Sequence, residues 1–229
     1  MIDLVNYQIA LPGISLSPIT APLYEYVMAG NGIFIRGARR EFQVQFCITP
    51  CTIRGLAELE PSLKLNAPFV PQTLVEEMLR RARLAQDPQG RPCEIVYHLE
   101  LDATSKWQCH VPAQKQSPMR SKPRDDSSTS SYARACIELH SHVDMQPSFS
   151  STDDQDEQGF RIYAILGCIS TKPVMRVRIG MYGYRQDIPA KWVFDLPPGI
   201  GDAVTGEGTL LGALTPSRQI HSGERGVKQ

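Results

Sequence analysis

The chain has 229 residues, 41% of them hydrophobic, enough for one large domain or a principal domain with a smaller companion. Its 24 Lys and Arg balance 24 Asp and Glu, so the net charge is zero and nonspecific nucleic-acid binding is excluded as the main activity. The apolar runs fall far short of a membrane span, and the opening residues lack a basic segment followed by an apolar one, so a cytoplasmic protein is expected.

In chain order, residues 1–70 offer no amphipathic helix. Residues 31–36 read as a strand entered through a turn, and residues 42–46 alternate apolar and polar, the mark of a half-buried strand. This stretch is expected to form a small β-rich N-terminal module. Thr73 and Glu76 have capping-box spacing, and Leu74, Val75, Met78, Leu79, Ala82 and Ala85 recur at helical spacing, predicting an amphipathic helix to about Gln86. The run Asp87-Pro88-Gln89-Gly90 stops it. Residues 93–101 read as a buried strand and residues 114–133, basic and then Ser/Thr-rich, as a long exposed loop. Residues 136–140 predict a short strand and residues 145–152 a loop. Further strands are expected at 160–169, 174–184 and 191–196. From Gly199 the composition is that of a flexible polar tail. The organisation expected is therefore an N-terminal module over 1–70, a main domain over 71–198 and a tail over 199–229.

One run carries chemistry. His140-Ser141-His142 is followed after seven residues by Ser150 and after two more by Asp153. Two His and a carboxylate form the ligand set of a catalytic zinc, which keeps a fourth position open, and a hydroxyl can donate to a developing oxyanion. On a strand, His140 and His142 point to one face and Ser141 to the other. The bland alternative is two surface histidines beside a solvated acidic loop that includes Asp154, Asp156 and Glu157. A zinc deaminase is disfavoured, because the Pro-Cys-x-x-Cys half of that signature is missing. The six cysteines are scattered and fit buried, reduced thiols.

The same H-x-H-x7-S-x2-D run resembles the signature of the JAB/JAMM zinc metalloproteases. Residues 138–142, 149–154 and 159–164 are further similar to the bacterial PRTRC system protein A family, with the likeness covering roughly residues 90–185. The resemblance implies an α/β sandwich like that of the cytidine deaminases, a mixed central sheet flanked by helices. It implies that His140, His142 and Asp153 hold one Zn2+ per chain, that Ser150 stabilises the tetrahedral intermediate, and that an upstream Glu is the general acid/base. Glu94, at the start of the strand after the long helix, stands where the family carries that Glu; Glu138, two residues before a ligand, is the other candidate, and Glu100 lies farther along the strand. Val143 departs from the Pro that members often have after the second His.

By the same resemblance the expected activity is hydrolysis of an amide bond at the C-terminus of a ubiquitin-like or sulfur-carrier protein, in company with an E1/ThiF-like protein. The segment 114–133 would help to hold an extended substrate tail. The rival expectation is a non-catalytic JAB-fold scaffold within a complex encoded on a plasmid or mobile element.

Overall fold

The computed structural model describes residues 3–125, 127–204 and 215–216. They divide into two compact units, one built on residues up to Asn66 and the other on residues from Ala67.

The first unit is a sheet of five successive strands: β1 (Val5–Ile9), β2 (Tyr24–Ala29), β3 (Gly32–Ala38), β4 (Phe42–Pro50) and β5 (Ser62–Leu65). The first pair is parallel and the rest are antiparallel, and Thr215–Pro216 run parallel to β5. The alternation read from residues 42–46 is realised, with Phe42, Val44 and Phe46 at most 2% exposed. Val27, Ala29 and Phe34 form a core with Ala10. Glu25 and Arg36 are buried as an ion pair at 2.6 Å. Burial alone would raise the Glu25 carboxyl, but hydrogen bonds from the Thr20 N–H and from Arg36 hold it below the usual range.

The second unit begins with α1 (Gln72–Leu84), which buries Val75, Met78, Leu79 and Ala82 at the spacing expected of a single helical face. Its N-cap is Pro71 and carries no side-chain cap, so the expected capping box at Thr73 does not form. Pro71 is already extended, which starts the helix one residue before Thr73 and puts that hydroxyl inside the first turn. The helix ends at Leu84, and a turn held by Asp87 Oδ1, which accepts from the N–H groups of Gln89 and Arg91, reverses the chain.

The strands of this unit are β6 (Val96–Leu101), β7 (Trp107–His110), β8 (Gln114–Ser117), β9 (Arg120–Pro123), β10 (Ile137–Ser141), β11 (Arg161–Gly167), β12 (Val174–Met181), β13 (Tyr184–Ile188) and β14 (Gly201–Asp202). Two short helices, α2 (Ser131–Arg134) and α3 (Ser151–Asp156), flank β10 in sequence. The main sheet runs β13-β12-β11-β10-β6-β7, with β14 beside β12. Strands β10 and β11 are parallel, while the other neighbours along that path are antiparallel. A parallel pair requires a crossover connection, and here α3 lies in it. Every residue of β11 is buried. The result is a mixed α/β domain in which strands far outnumber helical residues, with only α1 longer than two turns.

Several sequence expectations are corrected. Residues 114–133 are not a loop: β8 and β9 form a hairpin with Gln114 opposite Pro123, and α2 follows. Polar residues fill nearly every position of both strands, so the sequence lacks the apolar phase that marks a strand. Residues 174–184 are two strands rather than one, because Tyr182 and Gly183 both take positive φ (48° and 92°), the conformation of a two-residue hairpin turn. Residues 191–196 form no strand of the sheet; the N–H groups of Val193 and Phe194 both donate to the Ala190 carbonyl and coil the chain into a 3-10 turn, leaving a single bridge between Val70 and Phe194. Gly201–Asp202, within the expected tail, pair with β12; most of that tail lies outside the described residues. Among the described residues, no helix is long and apolar enough to cross a membrane. None of the six cysteines, all described, is in a disulfide.

Candidate metal centre

β10 ends beside β11, and its last turn of ladder sets the site. His140 pairs with Val96 across to β6. Ser141 then points to the opposite face, fully buried, where its Oγ accepts the Ile95 N–H at 3.1 Å while its own N–H donates to the Ile95 carbonyl. That stitch continues the strand pairing toward Glu94. His140 and His142 share the other face, as period two requires.

The two rings meet with Nε2 atoms 3.1 Å apart. His142 Nδ1 lies 3.1 Å from the Gln146 carbonyl, to which it can only donate; the proton on Nδ1 leaves the Nε2 lone pair for a cation. Asp153 Oδ1 is 3.5 Å from His140 Nε2, and ligand atoms of the three residues all lie within 4.8 Å of one another. Tetrahedral zinc with bonds of about 2.0–2.1 Å holds two nitrogens about 3.3 Å apart, so the spacing suits that ion. Charge state agrees. Burial pushes the His140 imidazole down to about 4, with His142 adding to the fall and Asp153 opposing it, so the ring is neutral at pH 7. Burial would raise the Asp153 carboxyl, but His140 and the Ser150 hydrogen bonds hold it below its ordinary value, so it is ionised. These are the protonation states that a metal requires of its ligands.

Asp153 sits in a helix, α3, whose first two residues, Ser151 and Thr152, fall within the loop expected over 145–152. Ser150 is the N-cap of α3 and Asp153 its third residue, in a reciprocal capping box: Ser150 Oγ accepts the Asp153 N–H at 3.2 Å, and Asp153 Oδ2 accepts from the Ser150 N–H and Oγ at 2.6 Å each. The S-x2-D spacing is itself a capping-box signal, so this helix start was readable in the sequence.

Glu94 is 4% exposed and precedes β6 rather than lying in it. Its N–H donates to the Ser117 carbonyl and its carbonyl accepts from Gln116 Nε2, so the β8–β9 hairpin holds its backbone. Burial, reinforced by the Asp153 charge, pushes its carboxyl up to about 8 against the pull of the Ser121 N–H. Glu138 faces His98, with Oε2 and Nε2 3.4 Å apart. Glu100 is engaged elsewhere, 2.8 Å from both His110 and Arg134. A cavity of about 710 Å3 is lined by Glu94, Glu138, His140, His142, Ser150 and Asp153, with β9 forming another part of its wall.

Residues 74–180 match the family model of prokaryotic homologs of the JAB domain. Over that span the chain is similar to a prokaryotic JAB domain. The matched span runs from α1 to the end of β12 and includes Glu94, Glu138, His140, His142, Ser150 and Asp153. No curated protein matches the chain. Within the matched span, Val143 takes φ 43°, a conformation closed to the Pro ring that the sequence resemblance would put there. Gln146, which orients His142 through a backbone carbonyl, carried no signal in the sequence, because any residue type supplies that group.

Proposed function

We propose that this JAB-like domain is a zinc-dependent amide hydrolase of the JAMM type, cleaving at the C-terminus of a ubiquitin-like or sulfur-carrier protein. The observation that supports it best is one cavity lined by His142, a neutral His140, an ionised aspartate and a buried glutamate of raised pKa. His140, His142 and Asp153 would hold one zinc per chain. Zinc, when bound, supplies polarisation of the amide carbonyl and a water acidified toward neutral pH.

The chain's own groups do the rest. Glu94 takes the proton of the attacking water and returns it to the leaving amine, a general base that becomes a general acid. A carboxyl whose pKa lies near the working pH suits both directions of that transfer. Ser150 donates to the carbonyl oxygen as charge develops there, for which its hydroxyl turns from Asp153 Oδ2. The β8–β9 hairpin, as a wall of the cavity, offers backbone to an extended substrate tail. A role within a PRTRC system, alongside an E1/ThiF-like protein, belongs to the same reading.

The test is zinc content of the wild type beside His140→Ala and Asp153→Ala, followed by cleavage of a ubiquitin-like fusion compared with a short peptide. About one zinc per wild-type chain, lost in both variants, together with cleavage of the fusion supports the reading. A folded wild type that takes up no zinc overturns it in favour of a scaffold.

A further inference from the structure

The helix that carries Asp153 has little to hold it. α3 has six residues and none is buried, and a helix of that length is not stable by itself. What grips it is Arg178 of β12, only 5% exposed. Arg178 Nε donates to Glu157 Oε2 at 2.8 Å, and Nη2 lies 2.6 Å from the same oxygen. Nη1 donates to Asp154 Oδ1 at 2.7 Å. The guanidinium lies over the Phe149 ring, 3.7 Å from its centre. Phe149 immediately precedes the N-cap Ser150, and Glu157 is the C-cap, so one side chain touches both ends of α3 and its middle.

We propose that Arg178 is the positioning residue of this site, fixing α3 so that Asp153 completes the ligand set. It does not line the cavity and acts through Asp154, Glu157 and Phe149. The planar fork with several donors is what allows simultaneous contact with two carboxylates and an aromatic face, which a lysine cannot reproduce. The other contacts of α3 are more exposed: Asp156 pairs with Arg120 and Lys122 of β9, all three near half exposed, and Asp154 also faces Arg185. Exposed pairs contribute little. His140 and His142 are positioned without Arg178, since β10 carries His140 and the Gln146 carbonyl holds the His142 ring.

This inference rests on the metal reading, and its test separates the two. Zinc affinity is measured by chelator competition for the wild type, Arg178→Met, Arg178→Lys and Arg176→Met, and the Co2+-loaded proteins are compared by visible absorption. Arg176 is the control: it lies on the same strand, pairs with Asp187 and has no contact with α3. Loss of an outer partner of a metal ligand costs about 10–100-fold in affinity. The expected result is a loss of that size in R178M, a smaller one in R178K, an altered Co2+ spectrum in both, and wild-type behaviour in R176M. Wild-type affinity in a folded R178M overturns the proposal, as does an equal loss in R176M. Should R178M not fold, R178K decides by the same measure, with unchanged affinity and spectrum overturning it. Absence of zinc from the wild type would instead overturn the metal reading itself.

Discussion

Ser150 and Asp153 are bonded to each other three times: the Ser150 N–H and Oγ both reach Asp153 Oδ2 at 2.6 Å, and the Asp153 N–H returns to Ser150 Oγ at 3.2 Å. The serine therefore caps the helix and holds the candidate ligand, and in the proposed mechanism it also serves the reaction. Ser150→Ala is expected to lose about 1 kcal/mol of stability from the missing cap. It is expected to retain zinc through His140, His142 and the remaining N–H bond to Asp153, and to lose roughly a hundred- to a thousandfold in kcat as an oxyanion donor. Measured zinc content separates the two roles: a rate loss that follows zinc loss in proportion would assign the hydroxyl to Asp153 alone.

Glu94 and Glu138 both line the cavity, and they differ in what surrounds them. Glu94 is 4% exposed with its backbone held by the hairpin, whereas Glu138 stands against the His98 ring. Glu94→Gln is expected to keep its zinc and lose roughly a hundred- to ten-thousandfold in kcat, the scale of a lost acid/base. Glu138→Gln is expected to keep most of its rate. Equal losses in both variants would show that the proton does not pass through Glu94 alone.

The raised Glu94 pKa also has a stability consequence in the metal-free protein. The folded chain holds this proton more tightly than the unfolded chain does, so stability falls as pH rises from 4.5 to about 8 and is level above. Glu157, raised to about 8 chiefly by burial against the pull of Arg178, acts in the same sense. His140, lowered to about 4, acts in the opposite sense, but only below its ordinary 6.5. Between pH 6.5 and 8 the carboxyls act without it. Denaturant melts in a chelator should therefore show stability declining across that window, less steeply in Glu94→Gln, and zinc should flatten the decline by favouring the carboxylate. A chelated wild type equally stable at pH 6.5 and 8 would contradict a protonated, buried Glu94.

What the sequence revealed and what it hid follow from the kind of interaction involved. α1 and β4 were legible because a repeating apolar phase fixes which face is buried, and Val75, Met78 and Leu79, like Phe42, Val44 and Phe46, keep that phase in the fold. The candidate metal ligands could be singled out because metal chemistry restricts residue type at set spacing, and the fold brings the three together. The β8–β9 hairpin was not, since Lys115, Arg120 and Lys122 present charge where a strand signal needs apolar residues, and its register comes from backbone bonds. Arg178 was hidden for another reason. Its partners Asp154 and Glu157 lie 24 and 21 residues away, and only the β11–β12 pairing brings them within reach.

Val143 follows a ligand in a left-handed conformation, φ 43°, that a β-branched residue adopts only under strain of about 1–3 kcal/mol. The loop keeps it there: the Val143 carbonyl accepts the Ile169 N–H at 2.9 Å, and the Met145 N–H returns to the His142 carbonyl at 2.8 Å. Val143→Gly is expected to raise Tm by releasing the strain. Val143→Pro, whose ring fixes φ near −65°, is expected to lower stability by about 3 kcal/mol or more. Thermal melts of the two variants decide it, and a proline variant as stable as the wild type would show that this loop takes another conformation in solution.

Gly167 closes β11 against the loop that orients His142. A Cβ there would lie 2.5 Å from the Met145 carbonyl oxygen and 2.7 Å from the Pro147 nitrogen, both backbone atoms that cannot rotate away. Between them lies Gln146, whose carbonyl meets His142 Nδ1. Gly167→Ala should therefore push residues 145–147 outward and lengthen that bond, freeing the ring that the metal needs held. The expected cost is about 1–3 kcal/mol of stability from overpacking and roughly tenfold or more in zinc affinity. Gly201→Ala is the matched control, because its added methyl would meet the Val174 side chain at an ordinary 3.4 Å. Loss of stability without loss of zinc affinity in Gly167→Ala would mean that β10 alone aims His142.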